Sequence, residues 1–396
     1  MNAETFTGDL KFMTPAFQIV LNGQRTDPLV LRDVLEVSFT SDLENVDSFE
    51  FVLNDWDPVA RLPKYSSPWG PTGAPLQLAP GGPDVPNFEP GAEVELHLGY
   101  LEQGALPLIM VGEVVSLAPG FPASGAPTCR VRALNRFFRG MQKVYVTGNY
   151  DGTDKAIIEA LCRDHDVPLS MAAPAAEGEL RERVEVDGYL QDEIAKRAKG
   201  YGLSMATAPG EDGRDMLILF DAARAQGDPV AEFLWGRTLV SFSPALSAAA
   251  QYSAVEARAQ DPRQSGDAQN VAVTRRWSDI GLAADALGPA GQADLSTAVG
   301  GMVKVIKPAD ARTEEDAAKA AETALREMAQ TLITGSGTSV GLPGLRAGMR
   351  VTMGGMGARF DGTWQVTQAT HALGGAGYTT SFQARKEVLE GGAGLG

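Results

Sequence analysis

Residues 345–387, LRAGMRVTMGGMGARFDGTWQVTQATHALGGAGYTTSFQARKE, have the pattern of three β-strands separated by glycine-rich corners. Apolar and polar residues alternate along each predicted strand, which is typical of a sheet with one buried face and one face in water. The glycines of GGMG indicate hairpin corners, because no Lys-Ser or Lys-Thr follows them as in a phosphate-binding loop. The stretch carries no cluster of nucleophile, base and metal ligand, so we expect the sheet to have a structural use.

The composition excludes several classes of function. The chain has 396 residues, which is enough for two or three hydrophobic cores. Its net charge of -16 repels phosphate backbones and anionic lipid, so sequence-specific nucleic-acid binding is not expected. Cys129 and Cys162 are too few for a disulfide framework and have no metal-ligand spacing. The sequence shows neither a signal peptide nor a run of about 18 apolar residues, which predicts cytoplasmic synthesis without membrane insertion.

The first 140 or so residues have the pattern of β-strands. In AFQIVLNGQ the apolar residues alternate up to Asn22-Gly23, a favoured hairpin turn. Residues 57–90 hold many prolines and glycines, which exclude a helix or a central strand. We expect this segment to be an exposed loop that contacts a partner, because loops of this length are usually functional or disordered.

Helical patterns begin near residue 150. One helix is expected behind Thr153, and a second is expected in YLQDEIAKRAKGYG. Their predicted buried faces contain Ile157, Ile158, Leu161 and Cys162 in the first helix and Leu190, Ile194 and Ala198 in the second. A third helix is predicted at 313–332 with Thr313 as its N-cap, after a weakly patterned segment at about 263–300 that we expect to be a loop.

Two parts of the chain repeat the same order of residues. Residues 37–58 align with residues 240–262, and residues 90–136 align with residues 347–386. The aligned pairs are Val37 with Val240, Phe39 with Phe242, Leu43 with Leu246, Phe49 with Tyr252, Gly91 with Gly348, Val94 with Val351, Gly112 with Gly362, Val131 with Phe382 and Ala133 with Ala384. Their shared order over two separate segments predicts a duplicated β-barrel.

The sequence resembles the late control gene D family, the baseplate hub proteins of contractile-tailed phages and related contractile injection systems. The resemblance lies in FEPGAEVELHLGY, VGEVVSLAPGF, LWGRTLVSFSP and the C-terminal GLPGLRAGMRVTMGGMGARFDGTWQVTQATH with GYTTSFQARK. It implies a homotrimer that adapts the six-fold inner tube to a three-fold spike, because three chains with two similar barrels offer six similar positions. It also implies contacts with the inner tube protein ring and other baseplate proteins, within an assembled particle made by a bacterium. The chain stops soon after the second barrel, so the spike is expected to be a separate chain.

The expected fold class is mainly β with an α/β insertion: two related antiparallel β-barrels in tandem, plus helical insertions. The predicted divisions are 1–145 for the first hub barrel, 146–230 for the α/β insertion domain and 231–396 for the second barrel. A loop and helix at about 263–340 interrupt the second barrel. The alternative function is a tail-tip-associated cell-wall hydrolase, for which a cleft with convergent Glu and Asp side chains would be needed. An adhesive tip protein is disfavoured, because no apolar anchor or receptor-like repeat is present.

No catalytic, cofactor-binding or metal-binding residue is predicted. His97 is expected to be a solvated or edge residue rather than a ligand, and His165 is expected to end a helix, where an imidazole interacts favourably with carbonyl groups. His371 is expected in a turn, with a subunit contact as the alternative. Trp235 and Trp364 are expected to be core anchors, because each lies in a strand pattern.

Overall fold

The computed structural model describes residues 13–43, 45–171, 180–200, 203–209, 215–221, 228–260, 266–280, 299–308, 311 and 313–386. A sheet of 13 strands runs through the described chain and joins its N-terminal and C-terminal parts. The structure confirms the expected fold class, since large antiparallel sheets dominate and a smaller α/β unit is inserted between two related β units. No helix in the described residues is both long enough and apolar enough to cross a membrane.

The first β unit, residues 15–135, contains nine strands, one short α-helix and a 3-10 helix at Leu101–Gln103. The helix α1 is Pro28–Asp33, and the strands are β1 (Pro15–Leu21), β2 (Gln24–Arg25), β3 (Val34–Asp42), β4 (Ser48–Asn54), β5 (Trp56–Asp57), β6 (Leu62–Pro63), β7 (Glu93–Tyr100), β8 (Leu108–Gly120) and β9 (Thr128–Asn135). Alternate residues of the long strands enter one core that contains Phe39, Phe49 and Phe51. The predicted turn at Asn22-Gly23 is confirmed, with positive φ at both residues.

The Pro/Gly-rich segment at 57–90 is only partly the exposed loop that the sequence predicts. Tyr65 and Phe88 are fully buried in the first core, where their ring centroids lie 6.2 Å apart. The Asp55 side chain accepts hydrogen bonds from the backbone N–H groups of Lys64 at 3.0 Å and Ser66 at 3.0 Å. Composition alone missed these anchors, because two aromatic side chains and one buried carboxylate fix a segment that otherwise lacks regular structure.

The α/β unit, residues 136–221, has its own core. Its elements are α2 (Arg136–Lys143), β10 (Tyr145–Gly152), α3 (Asp154–Asp164), β11 (Leu169–Met171), β12 (Arg181–Tyr189), α4 (Leu190–Gly200), β13 (Leu203–Pro209) and β14 (Asp215–Asp221). Both predicted helical faces are confirmed, since all seven predicted residues are buried in this core. The predicted cap is also confirmed, because Thr153 Oγ1 accepts a hydrogen bond from Ala156 N at 3.2 Å.

The second β unit, residues 231–386, carries a three-stranded sheet and a long helix as an insertion. Its strands are β15 (Ala231–Leu234), β16 (Leu239–Leu246), β17 (Ala254–Gln260), β18 (Asn270–Arg276), β19 (Val303–Ile306), β20 (Ile333–Val340), β21 (Arg350–Gly354), β22 (Gly362–Gly374) and β23 (Gly377–Lys386), and its helix is α5 (Glu314–Gln330). The predicted cap at Thr313 is confirmed by hydrogen bonds exchanged with Asp316. The prediction of a loop at about 263–300 is wrong where β18 lies, because Val273 of this strand packs into the core that α5 covers. Residues 281–298 of the predicted loop lie outside the described part of the chain.

The two β units share one strand order. Neighbouring strands follow β3-β4-β9-β8-β7 in the first unit and β16-β20-β23-β22-β21 in the second. A bulge follows Val114 in β8 and Val366 in β22. Ahead of each bulged strand, a glycine with positive φ donates its N–H to that valine carbonyl: Gly91 to Val114 and Gly348 to Val366, both at 2.8 Å. The same hydrogen bond from glycine to valine therefore occurs at the same place in both β units, which is how the sequence repeat is expressed in the structure.

The predicted alignment of residues 37–58 is wrong. Phe242 holds the position of Val37, so the matches of Val37 with Val240 and of Phe39 with Phe242 are two residues out. In addition, Tyr252 is not the counterpart of Phe49. Phe49 of β4 pairs with Ala133 of β9, whereas Ala384 of β23, the counterpart of Ala133, pairs with Gly335 of β20. Therefore β20 takes the place of β4 in the second unit. The predicted counterpart, β17, pairs instead with β18 and β19 in the inserted sheet.

Large and small residues exchange places between the two cores. A Cβ atom at Gly335 would lie 2.5 Å from the ring of Phe242, so this glycine leaves room for an aromatic side chain from β16. Phe242 packs edge-on against Trp364 with 5.0 Å between ring centroids. By strand register Trp364 corresponds to Gly112, so the predicted match of Gly112 with Gly362 is two residues out. The prediction that Trp364 anchors the core is confirmed.

Candidate interaction surface

The three histidines lie on different elements and form no reactive group. His97 Nε2 lies 3.3 Å from Glu95 Oε2, and His165 is the C-cap residue of α3, as the sequence predicts. Among the described residues, no group of three or more His, Cys, Asp or Glu side chains is placed to hold a metal ion. Cys129 and Cys162 are buried, and burial raises the pKa of each thiol to about 12, so neither is a ready nucleophile.

His371 is a core residue, so its assignment to a turn is wrong. Its Nε2 lies 2.8 Å from the Leu345 carbonyl oxygen, and its Nδ1 lies 2.9 Å from the Tyr378 hydroxyl. Burial lowers the pKa of His371 to about 4, which keeps the imidazole neutral. A neutral ring that donates from Nε2 to the carbonyl can accept from the tyrosine hydroxyl at Nδ1. The alternation along β22 could have indicated this burial, but the following glycines pointed to a corner.

The two β units meet edge to edge where β22 pairs with β3. The antiparallel register runs from Gln368 opposite Asp42 to Gly374 opposite Glu36. Within this joint the hydroxyl oxygens of Thr40 and Thr370 lie 3.1 Å apart. The contact is head-to-tail, because it uses the β22 edge of the second unit and the β3 edge of the first, which are not equivalent positions of the repeat.

The long strands β8 and β22 change partners at their bulges. β22 pairs with β21 as far as Gln365 and with β3 from Gln368 onward. β8 pairs with β7 as far as Glu113, but along Ser116–Gly120 it pairs only with β9 in the described part of the chain. Thus the β8 edge that corresponds to the joined edge of β22 is open.

The counterpart of β3 is open as well. Within the described residues, β16 forms a ladder only with β20, apart from a single bridge between Trp235 and Leu239. Large apolar side chains stand at the two open edges: Val240 is 65% exposed, Leu246 is 44% exposed, and Phe121, just after β8, is 62% exposed. Open strand edges with apolar side chains are prone to pair with another chain. Trp235 is itself 63% exposed, so its prediction as a core anchor is wrong.

The exposed face of the sheet changes character across the joint. Around β16, β20, β23 and β22 it forms two grooves, of about 310 and 660 Å³, that share Ser243, Ser336, Gln368 and Gln383 among their lining residues. Gln383 Nε2 donates to Gln368 Oε1 at 3.0 Å. The residues shared by the two grooves have hydroxyl and amide side chains, whereas Arg130 of β9 and Glu50 of β4 form a charged pair on the other side of the joint.

Arg346 connects the two β units with the α/β unit. Its Nη2 donates to the Ile109 carbonyl oxygen at 2.6 Å, and its guanidinium lies 4.7 Å from the ring centroid of Phe39. Burial raises the pKa of Asp47 to about 6, although Arg346, with Nη1 3.9 Å from the carboxylate, lowers it in part. Burial also raises the pKa of Asp215, against the same cation. No pattern in the sequence indicated this cluster, because its members are far apart along the chain.

Comparison with known proteins identifies one family model, that of the Alg8 N-terminal domain, which matches residues 84–374. The 43 kDa tail protein of prophage MuSo2 from Shewanella oneidensis has a similar structure, with a TM-score of 0.66, 13% identity, and coverage of 94% of this chain and 99% of that one. A tail protein from Neisseria meningitidis MC58 is similar with a TM-score of 0.63, 14% identity, and coverage of 94% and 97%.

A Francisella PdpA-VgrG complex is also similar, with a TM-score of 0.52, 6% identity, and coverage of 100% of this chain and 62% of that one. No curated protein matches the sequence. At these identities the three structures show a shared fold. That fold spans almost the whole of the two tail proteins, so the likeness includes both β units and the α/β unit between them.

Proposed function

We propose that this chain, which belongs to the Alg8 N-terminal domain family, is a structural baseplate hub of a contractile phage tail or a related injection system. As a trimer it would adapt a six-fold tube ring to a three-fold spike, the role implied by its resemblance to the late control gene D family. The division at 1–145, 146–230 and 231–396 is part of the proposal. Its place would be in the assembled particle, in contact with the tube ring, a spike and other baseplate proteins.

The head-to-tail joint between β22 and β3 carries this proposal. A head-to-tail contact between related units leaves one unused copy of each edge, and repetition of such a contact closes a ring when the rotation permits. The unused edges are those of β8, along Ser116–Gly120, and β16. If β8 of one chain pairs with β16 of the next, three chains place six related β units in one ring. Six similar positions are what a hexameric tube ring requires.

The intrachain joint also predicts the register between chains. Leu117 and Ala118 occupy the positions of Ala369 and Thr370, because they follow equivalent bulges at the same distance. Phe242 also occupies the position of Val37. Two successive strand pairings lead from Phe242 to a residue of β23, and two lead from Val37 to the equivalent residue of β9. Continuing this correspondence places Ala118 opposite Ala245 of the next chain, as Thr370 lies opposite Thr40.

A pair of engineered cysteines tests this register. Leu43 N donates to Thr367 O, so Thr370 and Thr40 form a non-hydrogen-bonded pair, in which side chains approach closely enough for a disulfide. Ala118 and Ala245 are exposed, and both native thiols are buried. Mild oxidation of concentrated Ala118→Cys/Ala245→Cys protein is expected to give covalent dimers and trimers on a non-reducing gel.

A shifted pair provides the matched control. In Ala118→Cys/Ser243→Cys the second cysteine lies on the same face two residues away, where diagonal neighbours are about 7–8 Å apart, too far for efficient cross-linking. Thr40→Cys/Thr370→Cys should form its disulfide within one chain and establishes that the oxidation conditions are effective. Equal cross-linking of the shifted pair would contradict the register. So would a lack of cross-links in Ala118→Cys/Ala245→Cys at a concentration at which sedimentation shows association, when the internal control succeeds.

The ring itself is tested by counting copies. Electron microscopy of the assembled particle should show three copies of this chain around the axis, between the tube and the spike. Any other number of copies, or a position outside the axis, would overturn the adaptor role whatever the cross-links show.

A further inference from the structure

Two prolines stand on the open edges that the proposed ring would pair. Ser247 N donates to Leu332 O, so alternate residues of β16 face β20 and Pro244 faces the open side. Asp55 N donates to Pro127 O, so alternate residues of β9 face β4 and the residues between them face β8. By the same alternation, Pro119 of β8 faces the open side of its strand rather than β9. Each proline therefore removes an N–H from an edge that would otherwise offer one.

The register places these prolines on the same rung. Pro119 holds the position of His371, and Pro244 holds that of Phe39, which pair with each other in the intrachain joint. Leu43 N donates to Thr367 O, and hydrogen-bonded pairs alternate with non-hydrogen-bonded pairs along an antiparallel joint. The internal pair of His371 and Phe39 is therefore a hydrogen-bonded one. A joint between two chains would have no backbone hydrogen bond there, whereas the neighbouring rungs, such as Leu117 with Leu246, keep both donors.

We infer that this proline rung weakens the contact between copies, so that the free chain stays mainly monomeric and closes its ring only on a template such as the spike. The inference rests on the proposed function and concerns its regulation, with a second copy of the chain as the partner. Exposed apolar residues at both edges make uncontrolled strand pairing a hazard, and proline on an edge strand is a common protection against it. The adjacent intact rungs leave enough of the ladder for pairing once copies are held together.

Restoring the two donors tests the inference. Pro119→Thr/Pro244→Thr introduces N–H groups into the rung with a residue that favours strands. Sedimentation equilibrium on the purified full chain should show mainly monomer for the wild type at micromolar concentration. The double variant should form trimers with a dissociation constant at least tenfold lower for each joint, and each single variant should have a smaller effect.

Pro71→Thr/Pro80→Thr is the matched control, because both residues are exposed in the Pro/Gly-rich segment rather than on an open edge. It should sediment like the wild type. The inference is overturned if the edge variant associates no more than the wild type while its melting temperature is unchanged, if it forms open-ended oligomers instead of trimers, or if the wild type is already trimeric at nanomolar concentration. Cross-linking of Ala118→Cys/Ala245→Cys in the predicted register would then leave the proposed function standing while this inference fails.

Discussion

Protonation of Asp47 is expected to stabilise the fold as the pH falls. The side chain lies between β3 and β4 with only 7% of the residue exposed, and it accepts a hydrogen bond from Asp42 N at 3.2 Å. Burial raises its pKa from 3.8 to about 6, with Arg346 opposing the shift. The native state therefore binds a proton more tightly than the unfolded state does. The perturbation that isolates this effect is Asp47→Asn, which removes the titration and keeps the size of the side chain.

The magnitude follows from the difference between the two pKa values. About two pKa units at roughly 1.4 kcal/mol each give about 3 kcal/mol of pH-dependent free energy of unfolding. For a carboxyl with a raised native pKa, this stabilisation is fully present below pH 3.8 and is lost as the pH rises through about 6. The free energy of unfolding of the wild type, minus that of Asp47→Asn, should therefore fall by about 2 kcal/mol between pH 4 and pH 7, since the full amplitude is reached only below pH 3.8.

Urea unfolding of both proteins at several pH values between 4 and 7 measures this difference. Asp84→Asn serves as the control for replacing an Asp by an Asn, because Asp84 is exposed. A wild-type minus Asp47→Asn difference that is flat, or that rises with pH, would show that the Asp47 carboxyl is not held in a desolvated site and would refute the reasoning.

Three other substitutions test the same region and the second core. The pKa of His371 is lowered from 6.5 to about 4, so the neutral imidazole stabilises the fold above pH 6.5, and this stabilisation is lost as the pH falls. In urea titrations, His371→Gln should remove a pH dependence of the free energy of unfolding of about 3 kcal/mol, with the opposite sign to that of Asp47. Gly337→Ala would place a Cβ 2.8 Å from two phenylalanine rings, and calorimetry should show destabilisation by about 1–3 kcal/mol, whereas Gly344→Ala meets nothing within 4 Å and should change little. Arg346→Met removes the cation beside Asp47, so thermal melts should show a loss of about 3 kcal/mol at pH 7 and a smaller loss at pH 5.

Local signals in the sequence predicted much of the fold. Alternation identified the long strands on both sides of the repeat, and helical spacing identified the buried faces of α3 and α4. Thr153 and Thr313 were recognisable as caps, because a hydroxyl before a helix satisfies a free backbone N–H of its first turn. Gly91 and Gly348 were aligned correctly, because a positive φ in the same turn requires glycine in both copies.

The alignment failed where the two cores exchange large and small residues. The sequence of β20, ITGSGTSV, lacks the aromatic alternation of β4, so the strand that takes the β4 position did not resemble it. Phe242 from the neighbouring strand fills that space, and such compensation between strands cannot be recognised by comparing one segment with another. The Arg346 cluster was missed for a related reason, because its groups meet only after three units have folded together.

The partner change along β8 and β22 gives a duplicated chain strand edges at which one β unit can join another. A straight strand in the middle of a sheet has one neighbour on each side, so a unit built only of such strands has just its two outer edges for contacts. The bulges divide each long strand into a segment that closes its own unit and a segment that is free to join another. In this chain one such segment is used internally and one remains open. The geometry that joins the two halves of the chain is thus also the geometry that could join one chain to the next.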